Sequence, residues 1–411
     1  LRPAWFLRLG LFLYDNIGKR VLLPGTSTVN LQTDKSGEAL KPMFKKGFEY
    51  SDCWVNDARL VVLNAADAAE RGAVIETRTQ CVSARRKDDH WTIVTKDLNT
   101  GATKTRTAKL IVNAAGPWVD KVLGEAFGSN NAKNVRLVQG SHIVVPKLHD
   151  HDRAYIFQNA DNRIIFALPY EQDYTLIGTT DRDYEGDPKD VKISEEEISY
   201  LCNAASEYFK KPILPEHIVW TYSGVRPLFD DGATAAQEAT RDYVLREDGN
   251  GDEPRVINIF GGKITTYRRL AESMLEKIEH VLGKRKPSWT AQSTLTGGDF
   301  AVYGFDELVA QVRSKYPFVE QSLAWRLVRS YGTKVWQLLG DAKNEVDLGP
   351  QFGGSLTGRE VEYLIDNEWA QTAQDVVWRR SKLGIRLSDD QIENLDQWMQ
   401  NRSVEPIRAA K

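Results

Sequence analysis

The run Arg255–Arg268 (RVINIFGGKITTYR) carries the densest chemical signal in the chain. Val256 to Phe260 is a short apolar, β-branched run that reads as a buried strand. Gly261 and Gly262 follow as a tight turn with no side chain in the way. Thr265 or Thr266 is placed to cap an amphipathic helix through Leu270, Met274 and Ile278. A strand, a bare turn and a helix N-terminus aim N–H groups and a positive dipole end at an anion. Lys263 adds a formal charge at the same point. Such a corner suits a phosphate, a pyrophosphate or a reduced flavin ring; an ordinary βα turn with a surface lysine has the same letters. A second corner, Leu110–Trp118 (LIVNAAGPW), ends an apolar strand in Ala114, Ala115 and Gly116, where a ligand can approach the backbone, and Pro117 stops the strand. Open α/β sheets bind ligands at the carboxyl ends of their strands. Two such corners on one chain favour a nucleotide cofactor.

Three further residues have the types needed for a phosphorylated alcohol. His142 sits in an otherwise apolar strand with Ile143, Val144 and Val145, where an imidazole can take up a proton near neutrality. A satisfied core histidine would occupy the same kind of position. Arg226 lies in a Ser-Gly-Val-Arg-Pro corner after the apolar run Ile218–Trp220, with its backbone restricted by Gly224 and Pro227. Arg241 follows shortly before the strand that leads to Gly261. A guanidinium fork matches phosphate oxygens bidentately, and surface salt bridges are the alternative role for both arginines.

The elements that must position these groups are legible from periodicity. Asp57 to Glu70 reads as a helix with Leu60, Val61, Ala65 and Ala68 at helical spacing, followed by the breaker Gly72 and a strand-like Val74–Thr77. Cys81–Ala84, Trp91–Thr95 and Thr103–Arg106, separated by two turn sequences, predict a three-stranded meander. Strand patterns dominate from 135 to 180: Arg136–Val138, Ser141–Val145, Ala154–Phe157, Arg163–Ala167 and Thr175–Gly178. Ser194 and Glu197 form a capping box that opens a helix to Lys210. Beyond Trp289 the pattern is helical, over 305–315, 321–331, 358–367, 372–383 and 388–400. At the other end, Trp5 to Tyr14 is a dense apolar helix. Its apolar residues wrap too far round for a clean amphipath, which favours packing against the fold over lying on a membrane surface.

Composition bounds the possibilities. A chain of 411 residues has room for more than one core. Its charged share of 27%, apolar share of 41% and net charge of only -3 are those of a globular protein and speak against a nucleic-acid binder. Cys53, Cys81 and Cys202 are scattered, with neither a disulfide framework nor metal-ligand spacing, which suits a reducing compartment and predicts no metal. No apolar stretch reaches the ~20 residues that span a bilayer, and no secretory signal is legible.

The segments Phe48–Leu60 (FEYSDCWVNDARL), Asn113–Trp118 (NAAGPW), Gly140–Pro146 (GSHIVVP), Ile177–Asp181 (IGTTD), Thr221–Leu228 (TYSGVRPL) and Phe260–Arg268 (FGGKITTYR) occur in that order. Together they closely resemble the FAD-dependent glycerol-3-phosphate dehydrogenases of the respiratory type. The likeness continues through Leu338–Gly340, Tyr363–Trp369 and Asp375–Arg380, and so covers essentially the whole chain.

The resemblance implies an α/β FAD-binding two-dinucleotide fold of the D-amino-acid-oxidase kind, with a mixed-sheet substrate domain and a C-terminal α-helical domain. In segments this means 1–47 as N-terminal helix and linker, 48–129 as FAD-domain portion with the meander, and 130–225 as substrate domain. Residues 226–284 are then the return to the FAD domain, and 285–411 the helical domain. It implies that sn-glycerol 3-phosphate is oxidised to dihydroxyacetone phosphate, with electrons passed to a quinone. The cofactor would be lined by Val82, Ala114, Ala115, Gly116, Trp118, Gly261, Gly262, Lys263, Ile264 and Thr265. The phosphorylated substrate would meet Arg226, Arg241, Lys263 and Thr265, and His142, Lys263 and Arg226 would act in catalysis. A peripheral place on the inner face of the cytoplasmic membrane and a homodimer are further implications. Another amine or hydroxy-acid oxidoreductase of the same superfamily is the alternative, and three cations suit a phosphate better than a carboxylate.

One departure stands out. The family's G-x-G-x-x-G turn, which holds the ADP half of FAD, is not found in these letters. Gly249 and Gly251 match its first two positions, but Pro254 takes the third. The expectation is therefore a dehydrogenase sequence without that segment, which by itself holds FAD poorly and is inactive.

Overall fold

The computed structural model describes residues 3–17, 22–128, 133–161, 163–230, 242–251, 253–284 and 286–404. The chain divides into two units, residues 1–54 with 79–285, and residues 55–78 with 286–411.

The first unit is organised around the strand Val135–Pro146. It is one continuous strand where the sequence suggested two, because Gln139 and Gly140 are buried within it. Trp220–Phe229 pairs along ten of its residues, from Val135 to Val144. Tyr174–Gly178 pairs with residues 142–146, and Ile164–Tyr170 and Tyr155–Gln158 continue the sheet outward. After Thr179–Asp181 interrupt the ladder, Arg182–Asp183 pair again with Val138 and Gln139. Every pairing in this sheet is antiparallel, so the expected mixed sheet is corrected on that point. For Tyr155–Gln158, Ile164–Tyr170 and Tyr174–Gly178 the antiparallel pairing follows from connections too short for parallel crossovers.

Alternation gives this sheet two different faces. Ile143, Val145, Ile165, Ala167 and Ile177 bury one face against Leu201, Cys202 and Ala205. Those three lie on the helix Glu195–Ser206, which begins with the capping box expected from Ser194 and Glu197. The other face carries His142, Tyr222 and Arg226.

A second sheet joins the two glycine corners. Leu110–Asn113 and Arg255–Phe260 run parallel as neighbours, and Val244–Asp248 closes the outer edge antiparallel. The meander Thr79–Arg86, Trp91–Asp97 and Thr103–Ala108 forms as expected. It is tied to this sheet by buried Trp91, whose indole Nε1 donates to Arg255 O at 2.9 Å.

The helix Ala4–Asn16 has no buried residue among those described, and Trp5, Leu9, Phe12 and Leu13 are at least half exposed. The expected packing is therefore partial: Leu7 and Leu11 are half-buried and Tyr14 meets Tyr50 edge-on, while most of the apolar surface stays exposed.

The second unit is helical. Residues 55–78, expected within the flavin-side segment 48–129, belong here instead. Asn56 caps the helix Asp57–Glu70 by accepting from Arg59 N–H. Val62 is buried, whereas Val61, one of the apolar positions that marked the helix, is exposed. Buried Arg59 makes a bidentate pair with buried Glu368, at 2.5 and 2.8 Å, and donates from Nε to Ser330 O. Breaking such a pair leaves an uncompensated buried charge, so it fixes how the helix seats. Val74–Thr77 is an irregular connection rather than a strand. Residues 375–380 form a π-helical turn inside the stretch expected as a helix over 372–383. Among the described residues no helix is long and apolar enough to cross a membrane, and no cluster of three metal-ligating side chains occurs.

A stacked pair in the first unit makes its stability depend on pH. His149 and His151 stack at 4.1 Å. Burial, reinforced by repulsion from His151, holds the buried His149 imidazole down from 6.5 to about 4. The unfolded chain takes up this proton at a higher pH than the folded one. Between pH 6.5 and 4 acidification therefore favours unfolding. Stability should fall across that window by about 2–3 kcal/mol from this ring. His149→Phe should flatten the curve measured by urea unfolding; an unchanged slope would show that His149 does not titrate in this way.

Candidate active site

Both glycine corners fall at one end of the parallel pair. Asn258 lies opposite Asn113 in the register, each at or near the carboxyl end of its strand, and both are buried. Asn113 Nδ2 donates to Asn258 Oδ1 at 3.0 Å and to Val119 O at 3.3 Å, which ties the first corner to the second. Gly116 adopts φ of 54° and opens the short 3-10 turn Gly116–Trp118. Trp118 is partly exposed, and its indole donates to Asp187 at 3.0 Å, drawing that carboxyl down to about 2.

Gly261 and Gly262 adopt φ of 70° and 102°, a region that side chains disfavour. A Cβ on Gly261 would lie 3.0 Å from Asp242 O and 3.6 Å from Pro227 O. The turn is thus pressed against the residues that directly follow Arg226. Lys263, Ile264 and Thr265 are exposed beyond it. Neither threonine caps the following helix, Tyr267–Leu282. Ile264–Thr266 form a 3-10 turn first, and Thr266 Oγ1 donates back to Lys263 O at 3.0 Å. The helix is amphipathic as expected, with Met274 buried. Val82 sits at a register break in the meander, where the ladder skips from Cys81 to Ser83 and leaves its backbone outside the regular pairing.

His142 and Arg226 come together on one face of the large sheet, each lying over a glycine. The His142 ring stacks on Tyr222, its cross-strand partner, at 4.7 Å and 10°. It covers Gly178, where any Cβ would collide with the ring. The Arg226 guanidinium crosses Gly140, where a Cβ would meet it at 2.5–2.7 Å. It ends at the ladder interruption. Nη1 donates to Asp181 Oδ1 at 2.8 Å and Nη2 to Thr179 Oγ1 at 3.1 Å. Arg226 is thus half-buried in an ion pair, while remaining on the same face as His142. Arg241 lies outside the described residues.

Sequence reasoning did not single out Tyr222, Thr179 or Asp181 as partners. The signal available in the sequence was glycine: Gly140 lies inside its strand and Gly178 ends one, beneath Arg226 and His142 respectively.

Residues 20–263 match the model of the FAD dependent oxidoreductase family, and residues 288–401 match the C-terminal domain of alpha-glycerophosphate oxidase. The chain belongs to the FAD-dependent oxidoreductases, in the group of the glycerol-3-phosphate dehydrogenases. It is 46% identical over 401 residues to the glycerol-3-phosphate dehydrogenase of Pseudomonas aeruginosa, covering 98% of this chain and 77% of the relative. It is 45% identical to the D-erythritol 1-phosphate dehydrogenase of Brucella abortus, covering 98% of this chain and 80% of the relative. The solved glycerol-3-phosphate dehydrogenase from Bacillus halodurans, complexed with FAD, superposes with a TM-score of 0.76 at 26% identity, over 92% of this chain and 78% of that one.

The residues present fit FAD. The Gly261–Gly262 turn leaves backbone bare of side chains ahead of the 3-10 turn and helix that follow it, and the Ala114–Gly116 corner shares its edge through the Asn113–Asn258 bond.

Proposed function

We propose that this chain oxidises sn-glycerol 3-phosphate to dihydroxyacetone phosphate and passes the electrons to a quinone. The observation that carries the reading is the pairing of His142 and Arg226 on one sheet face, above two bare glycines, with the Gly261–Gly262 turn packed beside the Arg226 strand. An imidazole and a guanidinium side by side suit an alcohol that carries a phosphate.

FAD, when bound, supplies the acceptor for the hydride that leaves substrate C2. His142 takes the proton of the C2 hydroxyl, so that loss of hydride and proton leaves a ketone. Arg226 holds the phosphate, with Arg241 as the second cation. The Gly261–Gly262 backbone, Lys263, Ile264 and Thr265 would hold the cofactor from one corner, where positive charge and N–H groups would favour its reduced form. Ala114, Ala115 and Gly116 would allow close approach from the other corner, with Val82 and Trp118 beside it. A quinone acceptor calls for a surface that meets a membrane, and the exposed apolar helix Ala4–Asn16 is the segment we assign to it.

The Brucella relative supports a second reading, a longer polyol phosphate, because its identity to this chain is nearly the same. One assay decides among these. With FAD-loaded protein and a soluble quinone analogue, kcat/KM for glycerol 3-phosphate should exceed that for unphosphorylated glycerol by about a hundredfold or more. Equal values would remove the phosphate from the reading. A clear preference for D-erythritol 1-phosphate would select the longer substrate.

A further inference from the structure

Behind the site, on the helix-covered face of the same sheet, lies a cluster of buried polar groups in an otherwise apolar core. Gln139, Ser141, Thr180 and Glu197 are each at least nine-tenths buried. Glu197 Oε1 accepts from the Thr180 hydroxyl at 2.6 Å. Its Oε2 accepts from Ser194 N–H and from Gln139 Nε2, both at 2.9 Å. Thr180 Oγ1 in turn accepts from Ser141 N–H at 2.9 Å. The Thr180 hydroxyl thus accepts from Ser141 N–H and gives its own proton to Glu197. Donors thus meet both carboxylate oxygens.

A capping box alone is satisfied by Glu or Gln at this position. Here a glutamine amide would put its one acceptor atom at one oxygen position and its NH2 at the other, so either the Thr180 bond is reversed or the Ser194 and Gln139 donors lose their acceptor. The carboxylate thus links the helix start to Thr180 in a way that an amide would not reproduce. Thr180 is the middle residue of the ladder interruption. Its neighbours Thr179 and Asp181 receive the Arg226 guanidinium, and Thr180 O lies 3.5 Å from Nη1.

We propose that Glu197 is a positioning residue for substrate. Through Thr180 it fixes the Thr179–Asp181 segment, and so sets the orientation in which Arg226 meets the phosphate. This rests on the reading of Arg226 as the phosphate ligand. The carboxylate touches neither substrate nor cofactor, and it acts by holding the segment that two of the guanidinium nitrogens grip.

The test compares Thr180→Val, Thr180→Ser, Glu197→Gln and Ser194→Ala in the FAD-loaded enzyme. Inorganic phosphate is the titrant in calorimetry, and steady-state kinetics and melting are measured alongside. Thr180→Val and Glu197→Gln should weaken phosphate binding and raise KM for glycerol 3-phosphate by about tenfold. Their kcat should stay within about threefold of the parent. Thr180→Ser, which keeps the hydroxyl, should restore both. Ser194→Ala removes the helix cap but leaves the Glu197–Thr180 bond, so it should lower Tm without moving phosphate affinity. If Thr180→Val does not fold, Glu197→Gln carries the test. Phosphate affinity at the parent value in folded Glu197→Gln, with only Tm reduced, overturns the proposal. Arg226→Ala separates the two levels. Phosphate binding lost there but retained in Thr180→Val and Glu197→Gln overturns the positioning role alone. Phosphate binding retained in Arg226→Ala overturns the phosphate role of Arg226, and the proposal with it.

Discussion

His142→Asn is expected to lower kcat by ~10²–10⁴ while flavin binding and Tm stay nearly unchanged. Asparagine keeps a polar side chain of similar reach and can lie over Gly178 as the imidazole does, but it does not take up a proton near neutrality. The acid limb of the pH–rate profile, set by an imidazole that must be neutral to act as base, should disappear with it. The opposite pattern has its own physical cause. His142 stacks on Tyr222 within the strand Val135–Pro146, most of whose residues are buried. If that packing were its whole role, stability would drop by roughly 1–3 kcal/mol and the rate per folded molecule would persist. Thermal melting and single-turnover flavin reduction on one preparation distinguish the two. A stable variant that reduces its flavin at the parent rate removes His142 from the chemistry.

Arg226→Ala should lower kcat/KM for glycerol 3-phosphate about a hundredfold and change that for unphosphorylated glycerol far less. Loss of a charge-assisted contact to a phosphate costs on the order of 2–3 kcal/mol. The ion pair with Asp181 sharpens the expectation. The truncation also leaves Asp181 without its cation close to an anionic substrate, so the phosphorylated substrate is penalised twice. Equal losses for both substrates would make the Asp181 pair the whole role of Arg226.

Local chemistry was legible in the sequence wherever it depends on residues near one another in the chain. The Ser194–Glu197 capping box, the Asp57–Glu70 helix, the meander and the strand-Gly-Gly-helix corner are all short-range patterns, and each formed. The errors came where a short pattern competes with packing. Val74–Thr77 has strand-like residues but no strand to pair with, and the apolar helix Ala4–Asn16 buries none of its residues among those described. Thr266 turned its hydroxyl back to Lys263 because a 3-10 turn precedes the helix.

The residue types of the site, His142, Arg226, Lys263 and the two glycine corners, were determined by the sequence alone, since type and immediate spacing define what each can do. Their assembly was decided by the tertiary structure. Residues 142, 178, 222 and 226 belong to three strands, and only antiparallel register places Tyr222 opposite His142 and Gly178 on its other side. Register is a long-range property, set by which faces bury apolar side chains, and a one-residue slip would send every one of these groups to the opposite face. For the same reason Glu197 read as a helix cap. Its second role exists only because the helix Glu195–Ser206 packs on the face of the sheet opposite the site, bringing a carboxylate within 2.6 Å of Thr180.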